Sequence, residues 1–112
     1  MTLSEAQRKF TRMVADLIVW AYANGFELVL GEAYRTPEQA ALNAQKGSGI
    51  ADSLHTKCLA IDLNLFKDGV YMKESADHEP LGVYWESIGG AWGGRFTKPD
   101  GNHYSLEWEG VK

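Results

Sequence analysis

Residues 53–66 read SLHTKCLAIDLNLF, and the interpretation of this stretch decides the fold. From Leu59 onward every second residue is a large aliphatic. Leu59, Ile61, Leu63 and Leu65 fall on one face of an extended chain, with Asp62 and Asn64 on the other. This pattern predicts a central strand over CLAIDLNLF. It is preceded by a loop, GSGIADS (47–53), and followed by Lys67-Asp68-Gly69, a turn that returns the chain into a short strand from Val70 to Met72.

Toward the N-terminus, residues 3–23 carry Phe10, Met13, Val14, Leu17, Ile18 and Ala21 at helical spacing, one apolar stripe. Thr2 with Glu5 forms a capping-box pattern, and Asn24-Gly25 is a stop. FELVLGEAYR, from Phe26, alternates like a strand, with Phe26, Leu28 and Leu30 on one face. Thr36-Pro37-Glu38-Gln39 starts a second helix, with Thr36 as N-cap and Gln39 closing a capping box, and the helix ends at Gly47.

Toward the C-terminus, residues 77–88 read as a helix with Asp77 near its start and Gly89-Gly90 past its end. WGGRFTKPDGN reads as glycine-rich loop, and HYSLEW (103–108) as a last strand. The order helix, strand, helix, strand, strand, helix, strand predicts an α+β fold, with helices packed on a small, mostly antiparallel sheet. The 112 residues suffice for one core, so a single domain over 1–112 is expected.

Eleven basic against fifteen acidic side chains give a net charge of −4, which argues against a nucleic-acid binder or adhesion to an anionic membrane surface. The single cysteine, Cys58, rules out an intrachain disulfide and fits a reducing compartment. MTLSEAQRKF lacks the apolar core of a signal peptide, so synthesis in a host cytoplasm is expected. The longest apolar run, residues 17–23, is too short to insert across a membrane.

Three polar residues sit awkwardly in this scheme. Asp62 lies within an apolar strand, where a buried carboxylate is costly unless paired or metal-bound. Taken alone, it is explained by a solvent-facing position on a one-sided sheet. His55 stands at the loop–strand junction, where a structural hydrogen-bonder is the ordinary reading. His103 begins the last strand, three residues after Asp100 in a segment whose Asp-Gly-Asn is also plain turn chemistry. Taken together, His55, Asp62 and His103 are a ligand set suited to catalytic zinc, which takes three protein ligands and keeps one position open. Asp100 then supplies the non-ligand carboxylate that a zinc hydrolase needs as general base. His78, in SADHEP, reads as a surface residue at a helix entrance.

The pattern Ser53-x-His55 … Asp62, then Asp100-x-x-His103 before an aromatic, resembles the zinc D-alanyl-D-alanine carboxypeptidase family, with its S-x-H-x-x-G-x-A-x-D and D/E-x-x-H signatures. Tyr34-Arg35-Thr36 and Trp92-Gly93-Gly94 resemble further segments of that family, and the match runs from about Gly31 to Trp108 in the family's order. The family includes VanY-like carboxypeptidases, VanX-like dipeptidases and phage L-alanyl-D-glutamate endopeptidases. The resemblance implies a Hedgehog/DD-peptidase-like fold, zinc held by His55, Asp62 and His103, and Asp100 as the base. It also implies Arg35 as oxyanion or substrate-positioning group and Ser53 as support for the site. Among these relatives the chain looks most like a phage endolysin: a monomeric enzyme that cuts bacterial peptidoglycan peptides at the cell wall after holin-mediated release. A D-alanyl-D-alanine carboxypeptidase and a non-catalytic peptidoglycan-binding relative are the alternatives.

Cys58 stands where the family signature has glycine. A compact buried side chain is the expectation there. A zinc ligand replacing Asp62, and a nucleophile paired with a histidine, are the competing readings.

Overall fold

In a computed structural model of the chain, residues 1–47 and 53–112 are described, so most of the loop expected at 47–53 lies outside the described residues. Helix α1 (Leu3–Ala23) starts at the expected capping box. The Thr2 hydroxyl accepts the Glu5 N–H at 3.1 Å, and the Glu5 carboxylate accepts the Thr2 N–H at 2.9 Å. It buries Ala6, Phe10, Met13, Leu17 and Ala21, a stripe with the spacing of one helix face.

Strand β1 (Phe26–Leu30) follows, then helix α2 (Pro37–Gln45), capped by the Thr36 side chain at the Gln39 N–H. The Gln39 side chain does not close the expected capping box. It reaches forward and donates to the Asn43 side chain one turn on, at 2.7 Å.

Strand β2 (Ala60–Lys67) is the spine of the molecule. Leu63 pairs with Leu30, and the antiparallel register with β1 runs on to Lys67 opposite Phe26. Its other edge is shared by β3 (Val70–Met72) at one end and β5 (His103–Ser105) at the other, both antiparallel. Strand β4 (Ala91–Trp92) adds outside β5, giving the order β1-β2-β5-β4. Helix α3 (Glu79–Ser87) and α1 pack on the sheet. Trp85 sits fully buried between Phe10 and Tyr104, with ring centroids 5.8 and 6.0 Å away, and its indole N–H donates to the Ser105 carbonyl at 2.9 Å. The α+β expectation holds, and as expected Leu59, Ile61, Leu63 and Leu65 all face this core.

Four local expectations differ from the structure. The third helix begins as a 3-10 turn, Ser75–His78, and becomes α-helical only at Glu79, where Pro80 fits the first turn. Trp92, expected as the start of a loop, instead closes a two-residue strand, Ala91–Trp92. The last strand stops at Ser105, because Trp108 pairs back on Val111 across a tight turn with positive φ at Glu109 and Gly110. Leu30, expected on the buried face of β1, is exposed, and β1 ends there rather than running on through GEAYR. No helix among the described residues is long and apolar enough to cross a membrane.

Candidate metal centre

The face of β2 opposite the core carries Asp62, and the fold brings a histidine to it from each side. His55 sits in a 3-10 turn (Leu54–Lys57) that leads into β2, and its backbone N–H is tied to the Ser53 hydroxyl at 3.2 Å. His103 opens β5 at the position registered directly opposite Asp62. Both imidazoles are almost fully buried. His55 Nε2 lies 3.3 Å and His103 Nδ1 3.7 Å from Asp62 Oδ1, and one ligand atom from each residue falls within 4.8 Å of the others. Ligands about 2.0–2.1 Å from a tetrahedral ion stand about 3.3 Å apart, so two edges of this triangle are already near that length.

Asp62 Oδ1 and His103 Nε2 are buried without a hydrogen-bond partner among the described residues. A buried polar atom left unpaired costs free energy, and at Asp62 Oδ1 a cation facing the two imidazoles would remove that cost. His55 Nδ1 lies 3.1 Å from the Ala33 carbonyl, which fixes the proton on that nitrogen and leaves Nε2 with a free lone pair toward Asp62. The donor set, its spacing and the orphaned carboxylate oxygen therefore fit a zinc-type ion.

The electrostatics agree. Burial pushes the Asp62 carboxyl upward, but the imidazoles of His103 and His55 overcome it and hold the group at about 2. Burial pushes His55 downward, and the Asp62 carboxylate and Ala33 carbonyl more than offset this, so its value is raised overall. This is a locus built to keep negative charge facing a positive centre.

Asp100 stands at the rim, its Oδ2 4.0 Å from His103 Nδ1 and its side chain half exposed. Burial, ahead of the opposing pull of His103, raises its pKa. The turn that holds Asp100 and His103 is clamped from three sides. The Trp92 indole donates to the Gly101 carbonyl at 2.8 Å, and the Ser75 hydroxyl accepts the Gly101 N–H at 3.0 Å. The Gly93 carbonyl accepts the Asp100 N–H at 2.9 Å. A Cβ on Gly93 would lie 2.2 Å from the Asp100 carbonyl oxygen and 2.8 Å from His103 Cβ, so only glycine fits there. This gives the Trp-Gly-Gly segment a positioning role that the sequence pattern did not assign.

Arg35 lines the same cleft, of about 480 Å³, together with Ser53, His55, Asp62, Phe96, Lys98, Asp100 and His103. Its backbone N–H donates to the His55 carbonyl at 3.1 Å, and its guanidinium is held by the Glu32 carboxylate. Glu32 escaped the sequence reading. Its one signal is the i,i+3 acid–base spacing in Glu32-Ala33-Tyr34-Arg35. Its backbone also matters, since the Glu32 carbonyl accepts the Asp62 N–H at 2.8 Å and Gly31 packs directly against Asp62.

Two sequence expectations are corrected. Cys58 is exposed rather than buried, and it adopts left-handed backbone, φ 55° and ψ 38°. This is a conformation that glycine adopts without strain, so the position asks for backbone freedom rather than for a packing side chain. The thiol lines an apolar pocket with Phe10, Val14 and Ile61, and it is not among the residues lining the metal cleft. His78 is buried rather than on the surface. Its Nδ1 is 2.7 Å from the Tyr104 hydroxyl, and burial lowers its pKa to about 4.

Two imidazoles and a carboxylate converging in an open cleft, with a second carboxylate at the rim, define the class of mononuclear metal-dependent hydrolases. The match to known families is narrower. Residues 46–106 match the profile of a family described as D-alanyl-D-alanine carboxypeptidase, and the chain belongs to that family. It is a zinc-dependent peptidoglycan peptidase in class. Among curated proteins, none matches by sequence. Several solved structures share the fold. The Serratia marcescens L-Ala D-Glu endopeptidase ChiX superposes with a TM-score of 0.75 at 20% identity, over 93% of this chain and 85% of that one. The vancomycin-resistance D,D-pentapeptidase VanY of a VanB-type cassette, solved as a mutant with Zn(II), superposes with a TM-score of 0.61 at 20% identity, over 88% of this chain and 70% of that one.

Proposed function

We propose that the chain hydrolyses the L-alanyl-D-glutamate bond of peptidoglycan stem peptides, with zinc held by His55 Nε2, Asp62 Oδ1 and His103 Nδ1. The observation that carries the site assignment is the buried, unpaired Asp62 Oδ1 facing two imidazole nitrogens. Similarity to the ChiX endopeptidase supports the choice of bond.

Bound zinc supplies Lewis-acid chemistry, polarising the scissile carbonyl and bringing the pKa of a water near neutrality. The chain's own groups do the rest. Asp100, its pKa raised by burial, accepts the proton of the attacking water on its carboxylate and passes it to the leaving amine. Arg35, braced by Glu32, orients the substrate carbonyl and stabilises the developing negative oxygen. The Ala33 carbonyl keeps His55 in the one tautomer that offers Nε2. Ser53 holds the turn that presents His55.

The family description favours a second reading, cleavage of the terminal D-alanyl-D-alanine bond. Mass analysis of peptides released from purified cell walls separates the two. Loss of the L-Ala–D-Glu linkage supports the first, and release of free D-alanine alone supports the second. A wall unchanged by the zinc-loaded protein contradicts both. The endolysin assignment adds that the protein, supplied externally to permeabilised cells, clears them, and that chelator stops the clearing.

A further inference from the structure

We infer that Lys98 is the residue that recognises the substrate, by pairing with a free carboxylate on the amino acid leaving the scissile bond. The inference rests on the peptidase reading above. Three cations line the metal cleft: Arg35, Lys98 and Lys112. Two are engaged. Arg35 is held on Glu32, and Lys112 Nζ lies 3.8 Å from Glu107 Oε1. Lys98 is exposed, and among the described residues no carboxylate lies within ion-pairing distance of it.

Its placement is specific. Lys98 stands two residues before Asp100, on the segment that walls the cleft from Phe96 to Asp100, and the Phe96 ring lies 5.3 Å from that of His103. The leaving amine takes its proton from Asp100. A cation two residues from Asp100 on the same wall therefore meets the amino acid that carries that amine. In a chain of net charge −4, a free ammonium lining this cleft is complementary to an anionic leaving residue.

The chemistry of the two candidate bonds fits one demand. A D-glutamate linked onward through its γ-carboxyl keeps a free α-carboxylate, and a terminal D-alanine does so too. Either leaving residue presents a carboxylate on the carbon next to the released amine. Lys98 would thus serve substrate choice whichever bond is cut, and where that bond is L-Ala–D-Glu the protein would discriminate between walls whose D-glutamate is free and walls where it is amidated.

The test uses the full zinc-loaded chain and the peptide L-Ala-γ-D-Glu-L-Lys-D-Ala-D-Ala. It is prepared with a free α-carboxylate or a carboxamide, first on D-glutamate and then on the terminal D-alanine. For the bond that is cut, wild type is expected to prefer the carboxylate over the amide by about tenfold or more in kcat/KM, the size of one charge-assisted contact. Lys98→Met should bring that ratio close to one, mainly through a higher KM for the carboxylate peptide, and Lys98→Glu should invert it. A general loss of structure would lower both peptides together and leave the ratio in place. A wild type that cuts the peptide but shows no carboxylate preference, or a Lys98→Met ratio equal to wild type, overturns the inference and leaves the peptidase reading standing. A wild type that cuts none of the peptides overturns both.

Discussion

Gly93 is where a single methyl group should do the most damage at the least chemical change. In Gly93→Ala the new Cβ would sit 2.2 Å from the Asp100 carbonyl oxygen and 2.8 Å from His103 Cβ. Normal contact is about 3.3 Å, so one of the two neighbours must move by roughly 1 Å. Neither can move alone. The Gly93 carbonyl accepts the Asp100 N–H, and the Asp100 carbonyl accepts the His103 N–H at 3.0 Å. Overpacking of this kind costs about 1–3 kcal/mol, which lowers the melting temperature by roughly 4–13 °C in a chain of this size. The activity cost should be larger in proportion. A misplacement of about 1 Å in a catalytic group is worth about a hundredfold in rate, and here both the base and a metal-facing imidazole shift. Calorimetry, together with kcat/KM at 25 °C where the variant is still folded, measures both quantities. A Gly93→Ala protein with the wild-type melting temperature and activity within threefold of wild type would refute the claim that this glycine sets the Asp100–His103 geometry.

Other perturbations test separate parts of the account. His78 has a folded pKa of about 4 against an ordinary 6.5, so between those values the unfolded chain binds a proton that the folded chain does not. The His78 contribution is full above pH 6.5 and falls as the pH drops, by about 3 kcal/mol on reaching pH 4. His55, whose value is raised, acts in the opposite sense at the top of the range, its contribution being present below pH 6.5 and lost as the pH rises further, so the comparison with a His78 variant isolates the His78 slope. Urea melts of metal-free protein between pH 7.5 and 4.5 should show this loss in wild type and a much flatter profile in His78→Gln; equal slopes would contradict it. Cys58→Gly should stabilise the protein by up to about 1 kcal/mol by relieving a left-handed residue, and alkylation of the exposed thiol should leave hydrolysis intact. A destabilised glycine variant, or inactivation by alkylation, would show that the thiol has a role the structure does not give it. Removing the metal with chelator should lower the melting temperature, and zinc at a hundred times its Kd should restore about 2.7 kcal/mol. A transition indifferent to zinc would argue against a site on the folded state.

Much of this was legible from residue types alone. Alternation in CLAIDLNLF places β2 and its buried face, and the stripe from Phe10 to Ala21 places α1, because both elements are long enough for a period to emerge. His55, Asp62, Asp100 and His103 each have an ordinary explanation singly, and stood out only together, as a set suited to zinc and in the spacing of the family signature. The signal failed where position depends on tertiary partners. Strand β4 has two residues and exists because β5 offers it an edge. His78 lies among polar neighbours in sequence, yet the 3-10 turn ahead of α3 carries it against Tyr104. Cys58 packs well as a small side chain on paper, but what its position requires is a positive φ, and a single residue does not display that. Glu32 looked like ordinary surface charge until the fold set its carboxylate beside Arg35 and 3.9 Å from His55.

The central claim is that two imidazoles and Asp62 grip one zinc ion while Asp100 acts beside them without binding it. Elemental analysis of purified protein, paired with peptidoglycan turnover, tests this in one comparison of wild type, His103→Ala and Asp100→Ala. The account predicts one zinc per chain in wild type and in Asp100→Ala, almost none in His103→Ala, and turnover in wild type alone. Full zinc and full turnover in His103→Ala, or turnover in Asp100→Ala near the wild-type rate, would contradict it.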